Sequence, residues 1–290
     1  MLKVAYFPGC SLSSTAKEYD ISTRLVCEDL EIDLVEIPDW ICCGATTAHI
    51  TSELTAAALP AKSLVWAEKQ GLNITSPCSA CFSRLKMAHL HIEKDPKLKK
   101  EVEEVIGEKY NGKTEVMHLT RILIEQYGIE NIKAKIKKEL KGLKIACYYG
   151  CLMTRPAEVC VNDRVENPML MDNLVKALGA EPVKWYYKTE CCGAGFSLTK
   201  TEIARKLSGD ILKEAKDCGA DLVMVACPLC HSNLDARQPE IAKLIKTELN
   251  IPVLYFTQVL GLALGYNSMD LMLNKHFINP KPLLKAKGIL

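Results

Sequence analysis

Short unbroken apolar runs recur along this chain, separated by stretches in which apolar residues return every three or four positions. Leu222 to Ala226 reads LVMVA, the continuous pattern that a parallel strand buried on both faces requires. Leu2 to Cys10 reads LKVAYFPGC, a strand stopped by Pro8-Gly9. A helical pattern spans Thr15 to Leu30, and Leu34 to Ile37 predicts a second strand ended by Pro38. Further on, Asn167 and Pro168 read as the cap and first residue of a helix carrying Leu170, Leu174 and Leu178, with Gly179 as its stop. Thr199 and Glu202 read as a capping box for a helix whose apolar face is Ile203, Leu207, Ile211 and Ala215. Its earlier counterpart is Ser52 to Gln70, where Pro60 stands at the level of Gly209 and predicts a bend. Helices are expected from Phe82 and His231, and last strands over Val116 to Leu119 and Val253 to Phe256. Lys133 to Lys144 is lysine-rich with a helical pattern, and Lys94 to Glu108 reads as a solvated helix.

The pattern occurs twice. Leu143 to Cys151 reads LKIACYYGC, which matches LKVAYFPGC at Leu, Lys, Ala, Gly and Cys with an offset of 141 residues. The alternation of strands and helices predicts an α/β fold of two tandem, duplicated domains, each with a small parallel sheet flanked by helices. The domains are expected at 1–141 and 142–290, with the boundary near Gly142.

Cysteine follows the same repeat. Cys42-Cys43-Gly44 and Cys191-Cys192-Gly193 each precede a CxxC pair, Cys78/Cys81 and Cys227/Cys230, with 34 residues between the cysteines in both copies. Cys10 and Cys151 come before them, so five cysteines recur in one order. Cys10, Cys78, Cys151 and Cys227 fall just past strand ends, the edge where open α/β sheets gather ligands. Thiolates are soft ligands that select zinc, copper(I) or iron-sulfur clusters. A closed zinc site or a cubane cluster uses four thiolates, which leaves one sulfur over in each copy. Adjacent cysteines cannot easily point the same way, and this favours a body with several metal atoms over a single ion.

With two complete copies over nearly all of its length, the chain resembles the B subunit of CoB-CoM heterodisulfide reductase, a member of the tandem cysteine-rich CCG domain family. Relatives in that superfamily serve thiol-fumarate reductases, lactate and glycolate oxidases and some succinate dehydrogenases. The resemblance implies two noncubane [4Fe-4S] clusters, one held by Cys10, Cys42, Cys43, Cys78 and Cys81, the other by Cys151, Cys191, Cys192, Cys227 and Cys230. It implies that the CoM-S-S-CoB disulfide lies between them and is reduced to two thiols, each cluster giving one electron. It further implies two partners, a ferredoxin-like C subunit and a flavin-bearing A subunit, with hydrogenase or formate dehydrogenase upstream. The chain itself has no ferredoxin-type cysteine run and no glycine-rich dinucleotide fingerprint, so its electrons are expected from a partner. Two other readings are an electron-transfer subunit of another CCG oxidoreductase and a zinc-stabilised scaffold without redox chemistry. A thioredoxin-like dithiol reductase would leave the Cys-Cys-Gly pairs without a role.

The substrate of such a reductase is acidic, so Arg84, Arg155, Lys200 and His231, close to the cysteine motifs, are candidates to line its entry. Cys27, Cys147 and Cys218 read as core filling, whereas Cys160, in an expected loop near Cys151, is a candidate reactive thiol. A formal net charge of +2 over 290 residues gives no basic field for nucleic acid or an anionic membrane. The longest apolar stretch, Val253 to Leu264, is interrupted by Thr257, Gln258 and Gly261, so no membrane span is expected. The start of the chain runs straight into a strand and lacks a signal peptide pattern. Fourteen cysteines without an export signal point to a reducing cytoplasm.

Overall fold

The computed structural model describes residues 2–160 and 164–290. Strands β1 (Leu2–Tyr6), β2 (Ile32–Glu36), β3 (Ile74–Ser76) and β4 (Val116–His118) form one sheet. Strands β5 (Lys144–Tyr148), β6 (Glu181–Pro182), β7 (Leu222–Val225) and β8 (Val253–Tyr255) form another. The orders are β2-β1-β3-β4 and β6-β5-β7-β8, so the two sheets share one topology. All pairings are parallel. β7 is buried along its whole length, as its lack of polar alternation predicts. The α/β architecture, twice repeated, agrees with the pattern of the sequence.

Several element ends differ from the sequence reading, each for a local reason. The helix near Leu170 runs Leu170–Ala177 and starts after Met169, without an Asn167 cap; Pro168 instead offers its carbonyl to the Lys188 ammonium. The helix Thr201–Asp217 has no side-chain cap. Thr199 does not form the expected box, because a 3-10 turn at Ala194–Phe196 carries the chain in and Lys200 N–H bonds to Phe196 O. Gly209, opposite Pro60 in the repeat, leaves no room for a side chain, since a Cβ there would stand 2.9 Å from Ile241 Cγ2. The helices expected from Phe82 and His231 begin earlier, at Ser79 and Pro228, so the second cysteine of each CxxC sits in a first helical turn. The lysine-rich helix spans only Ile129–Lys135. Beyond it, the N–H groups of Lys137 and Lys138 both bond to Ala263 O, and the chain then enters β5. Pro96–Ile106 forms the solvated helix, burying only Leu98 and Val102.

The halves interlock. The helix Lys17–Asp29 packs against the helix Phe256–Ala263 of the other half, and Leu170–Ala177 packs reciprocally against Leu119–Arg121 and Ile129–Lys135. Tyr19, fully buried, stacks on Tyr255 with ring centroids 3.9 Å apart and an 8° tilt. Its hydroxyl donates to Pro77 O at 2.7 Å. His118 Nδ1 accepts from Thr120 N–H, which leaves the proton on Nε2. That single N–H lies 3.0 Å from Pro77 O and 3.2 Å from Ala226 O, the carbonyls preceding the two CxxC motifs. Ser79 Oγ adds a second bond to Ala226 O, at 2.8 Å. Burial holds the His118 pKa down at about 4, so the ring is neutral. Truncating Tyr19 to alanine should lower the unfolding free energy by about 3–5 kcal/mol, and Tyr19→Phe by about 1 kcal/mol. Denaturant titration of both variants reads the difference, and equal losses would mean the stacked ring contributes nothing.

Candidate metal centre

The strand-end clamp determines where the sulfurs go. Cys78 and Cys227 are the extended residues from which the two CxxC helices start, and their thiols interact across the junction of the halves. The remaining cysteines branch outward the same way in each copy. Cys43 lies 3.4 Å from Cys81, and Cys192 lies 3.4 Å from Cys230. Their sequence neighbours face elsewhere, Cys42 toward Cys10 and Cys191 toward Cys151 at 3.9 Å. The two members of each adjacent pair therefore serve different sides of one site. All ten are free thiols; Cys43, Cys78, Cys81, Cys192, Cys227 and Cys230 are buried, while Cys10 and Cys42 are exposed. The first set thus has a dry inner side and an outer side open to solvent, whereas in the second the outer Cys151 and Cys191 are half-buried.

Charge follows this layout. A hydrogen bond from Cys81 brings the Cys43 thiol down to about 7 against the cost of burial, helped by the positive charge of Arg84. A bond from Cys151 brings Cys191 down to about 6, with the Gly193 N–H and Arg155 acting the same way. The partners Cys81 and Cys151 are pushed up as donors. Among the described residues, no three cysteine sulfurs come together as the ligand atoms of His231, Asp235 and His276 do, all within 4.8 Å of one another. Four sulfurs around one zinc, each about 2.3 Å from it, would stand roughly 3.8 Å apart. The buried sulfurs run instead as one chain of neighbours, Cys43–Cys81–Cys78–Cys227–Cys230–Cys192, which fits a multi-atom cluster better than a single ion. Close approach at the strand ends fits it too: a Cβ on Gly9 would meet Cys81 Sγ at 2.7 Å, and one on Gly150 would meet Cys230 Sγ at 3.3 Å.

The other candidates separate cleanly. Arg84 and Arg155 face cysteines of the first and second sets, respectively. Lys200 is exposed at the start of its helix. His231 turns away from the thiols: its Nε2 lies 3.0 Å from Val253 O and 2.9 Å from His276 Nδ1. Together with Asp235, which accepts from the N–H groups of Phe277 and Ile278, it fastens the C-terminal segment. Cys27 and Cys147 are core residues, and Cys218 is half-buried at a helix end. Cys160 is buried, and burial raises its thiol to about 12, opposite to the low-pKa, accessible setting of a reactive cysteine.

A family model described as a cysteine-rich domain, CCG, matches residues 4–86 and again 145–235. The chain belongs to the CCG family. The 8-methylmenaquinol:fumarate reductase membrane anchor subunit of Wolinella succinogenes is 34% identical to it over 282 residues, covering 96% of this chain and 98% of that protein. The B subunit of the ferredoxin/F(420)H(2)-dependent CoB-CoM heterodisulfide reductase of Methanosarcina acetivorans is 32% identical over 286 residues, covering 96% and 94%. The lactate utilization protein A 1 of Bacillus cereus is 24% identical, covering 84% of this chain and 95% of that protein. A crystal structure of a hypothetical protein from Helicobacter pylori shares the fold, with a TM-score of 0.75 at 14% identity over 96% of this chain. This chain spans about half of that one, 52%. Among the described residues, no helix is long and apolar enough to cross a membrane.

The glycine of each CCG motif has a steric reason. Gly44 and Gly193 hold φ of +72° and +78°, and a Cβ would meet Ala48 Cβ at 2.6 Å and Ala204 Cα at 2.8 Å. In the second CCG domain the motif is also held from behind. Asn233, buried three residues after Cys230, donates to Cys192 O at 3.1 Å and reaches Cys192 Sγ at 3.9 Å. Its Oδ1 accepts from Ser197 Oγ and Arg237 Nε. Sequence reasoning missed this residue, and the repeat does not mark it, since the matching position of the first copy is Arg84. Replacing Asn233 with alanine orphans those partners and should cost about 1–3 kcal/mol of stability. In metal-free protein it should also speed alkylation of Cys192 severalfold, read by mass spectrometry, with no change at Cys43.

Proposed function

We propose that this chain is the disulfide-reducing subunit of a heterodisulfide reductase, holding two noncubane [4Fe-4S] clusters. Cys10, Cys42, Cys43, Cys78 and Cys81 are the proposed ligands of one cluster. Cys151, Cys191, Cys192, Cys227 and Cys230 are those of the other. Residues 1–141 and 142–290 are accordingly the two cluster-holding domains. The carrying observation is the arrangement of sulfurs: two five-cysteine sets with diverging neighbours, meeting at Cys78 and Cys227. Similarity to heterodisulfide reductase B subunits over 96% of the chain supports the same reading.

Reducing the CoM-S-S-CoB disulfide breaks one S–S bond and consumes two electrons and two protons, giving two thiols. When bound, the clusters supply those electrons one at a time from either side. The chain's own residues hold and shield: the buried inner cysteines keep water from the junction, and the exposed outer ones leave the approach open. Electrons enter through a ferredoxin-like partner and a flavin-bearing one, the C and A subunits of such a complex, with hydrogenase or formate dehydrogenase upstream. The proposed setting is the cytoplasm, where the thiols stay reduced.

A second reading, an electron-transfer subunit of a fumarate- or lactate-type CCG oxidoreductase, is favoured by the names of two relatives. Anaerobically purified protein should carry about eight irons and as many labile sulfides per chain, where a zinc scaffold would carry zinc and no sulfide. The double variant Cys191→Ala, Cys192→Ala should retain about four irons and lose viologen-driven reduction of CoM-S-S-CoB at least a hundredfold. Full iron loading of the wild type with no disulfide reduction would favour the second reading.

A further inference from the structure

A cleft of about 460 Å³ lies where the two halves meet beside the first set of cysteines. His49, which follows the first Cys-Cys-Gly, lines one side, Ser83, Arg84 and Met87 of the first CxxC helix line another, and Leu152 and Pro156, just beyond Cys151, close it from the second half. The cleft is small-molecule sized; no cysteine is among its lining residues, and its links to the two sets are Arg84, whose charge acts on Cys43, and Leu152, which follows Cys151.

Its polar lining is incomplete. Arg84 is half-buried, yet its Nε has no hydrogen-bond partner, and its Nη1 makes only a weak contact, to Met87 Sδ at 4.0 Å. Ser83 Oγ, on the preceding residue, is likewise buried without a partner. The one carboxylate lining the cleft, Glu53, stands 4.0 Å from His91 Nδ1 and forms no ion pair with Arg84 among the described residues. His49 and His91 are the other titratable groups there, and burial, followed by the charge of Arg84, disfavours protonation of His49. The internal repeat sharpens the contrast. Arg84 and Asn233 both follow the second cysteine of their CxxC by three residues, but Asn233 spends its amide on the Cys192 loop. Arg84 makes no such tie. The Cys43 thiol faces Arg84 electrostatically but leaves Nε unpartnered; a guanidinium partly withdrawn from water with a donor unmet is costly, and a carboxylate, sulfonate or phosphate oxygen would offset that cost through charge-assisted bonds.

We infer that Arg84 and the cleft around it form an anion subsite that binds the acidic group of a small thiol or disulfide whose sulfur reaches the cysteine centres. The identity of the sulfur ligand rests on the disulfide-reducing reading above; the anion subsite rests on the cleft. The second half has asparagine at the matching position, so the internal repeat does not reproduce the subsite; the guanidinium of that side is Arg155, which faces Cys191 from a different element.

Calorimetric titration of anaerobic, cluster-loaded protein tests this with three probes: 3-mercaptopropionate, its alcohol analogue 3-mercapto-1-propanol, and propionate. The wild type should prefer the acidic thiol to the alcohol by about tenfold, equivalent to about 1.4 kcal/mol. Arg84→Gln should abolish that preference while leaving the alcohol's affinity unchanged, and Arg84→Lys, which keeps the charge, should retain most of it. Absence of the preference in the wild type, or its persistence in Arg84→Gln, would overturn the inference. If propionate alone binds as tightly as the acidic thiol, and in an Arg84-dependent way, the anion subsite stands and only the assignment of a sulfur ligand falls.

Discussion

One imidazole N–H, on His118, is shared between the carbonyls of Pro77 and Ala226, and the relation between the two halves turns on that sharing. Each carbonyl immediately precedes the first cysteine of a CxxC, so fastening both to one ring brings Cys78 and Cys227 together. The ring is reliable as a clamp because burial keeps it neutral and Thr120 fixes its tautomer. The Tyr19–Tyr255 stack and the Ser79 bond hold the same junction from either side. From there the sulfurs branch outward, from buried inner cysteines to outer ones that are exposed in the first set and half-buried in the second.

The cysteine spacing and the strand-helix alternation were legible because they depend on local chemistry. LVMVA reads as a buried parallel strand and is one, and the duplicated five-cysteine order matches two sets of sulfurs that branch alike. The expectation that neighbouring cysteines diverge is met by Cys42 and Cys43, which turn to Cys10 and Cys81. What could not be read depended on distant partners. β6 consists of Glu181 and Pro182, with no apolar run, and exists because β5 offers it an edge. The helix caps at Asn167 and Thr199 failed because Lys188 and the 3-10 turn ahead of Lys200 claimed the neighbouring backbone. His231, beside a ligand-type cysteine, reads as a site residue in one dimension and is a C-terminal fastener in three.

Duplication has preserved the sulfurs and released their surroundings. Tyr6, bonded to Asp20 beside Arg24 in the first half, has Cys147 at its matching position, while Tyr149, bonded to Asp172 beside Lys188 in the second, stands where the first half has Pro8. Arg84 and Asn233 show the same drift beside the cysteines.

The reciprocal packing of the helices, Lys17–Asp29 on Phe256–Ala263 and Leu170–Ala177 on Leu119–Arg121 and Ile129–Lys135, has the form of a self-complementary interface, the same two surfaces used in both directions. A lone half would leave one of each uncovered and its CxxC without an opposite number. A single-copy forebear would have completed this junction as a symmetric homodimer. Tethering the copies in one chain freed each to accept changes that a shared gene would have imposed on both.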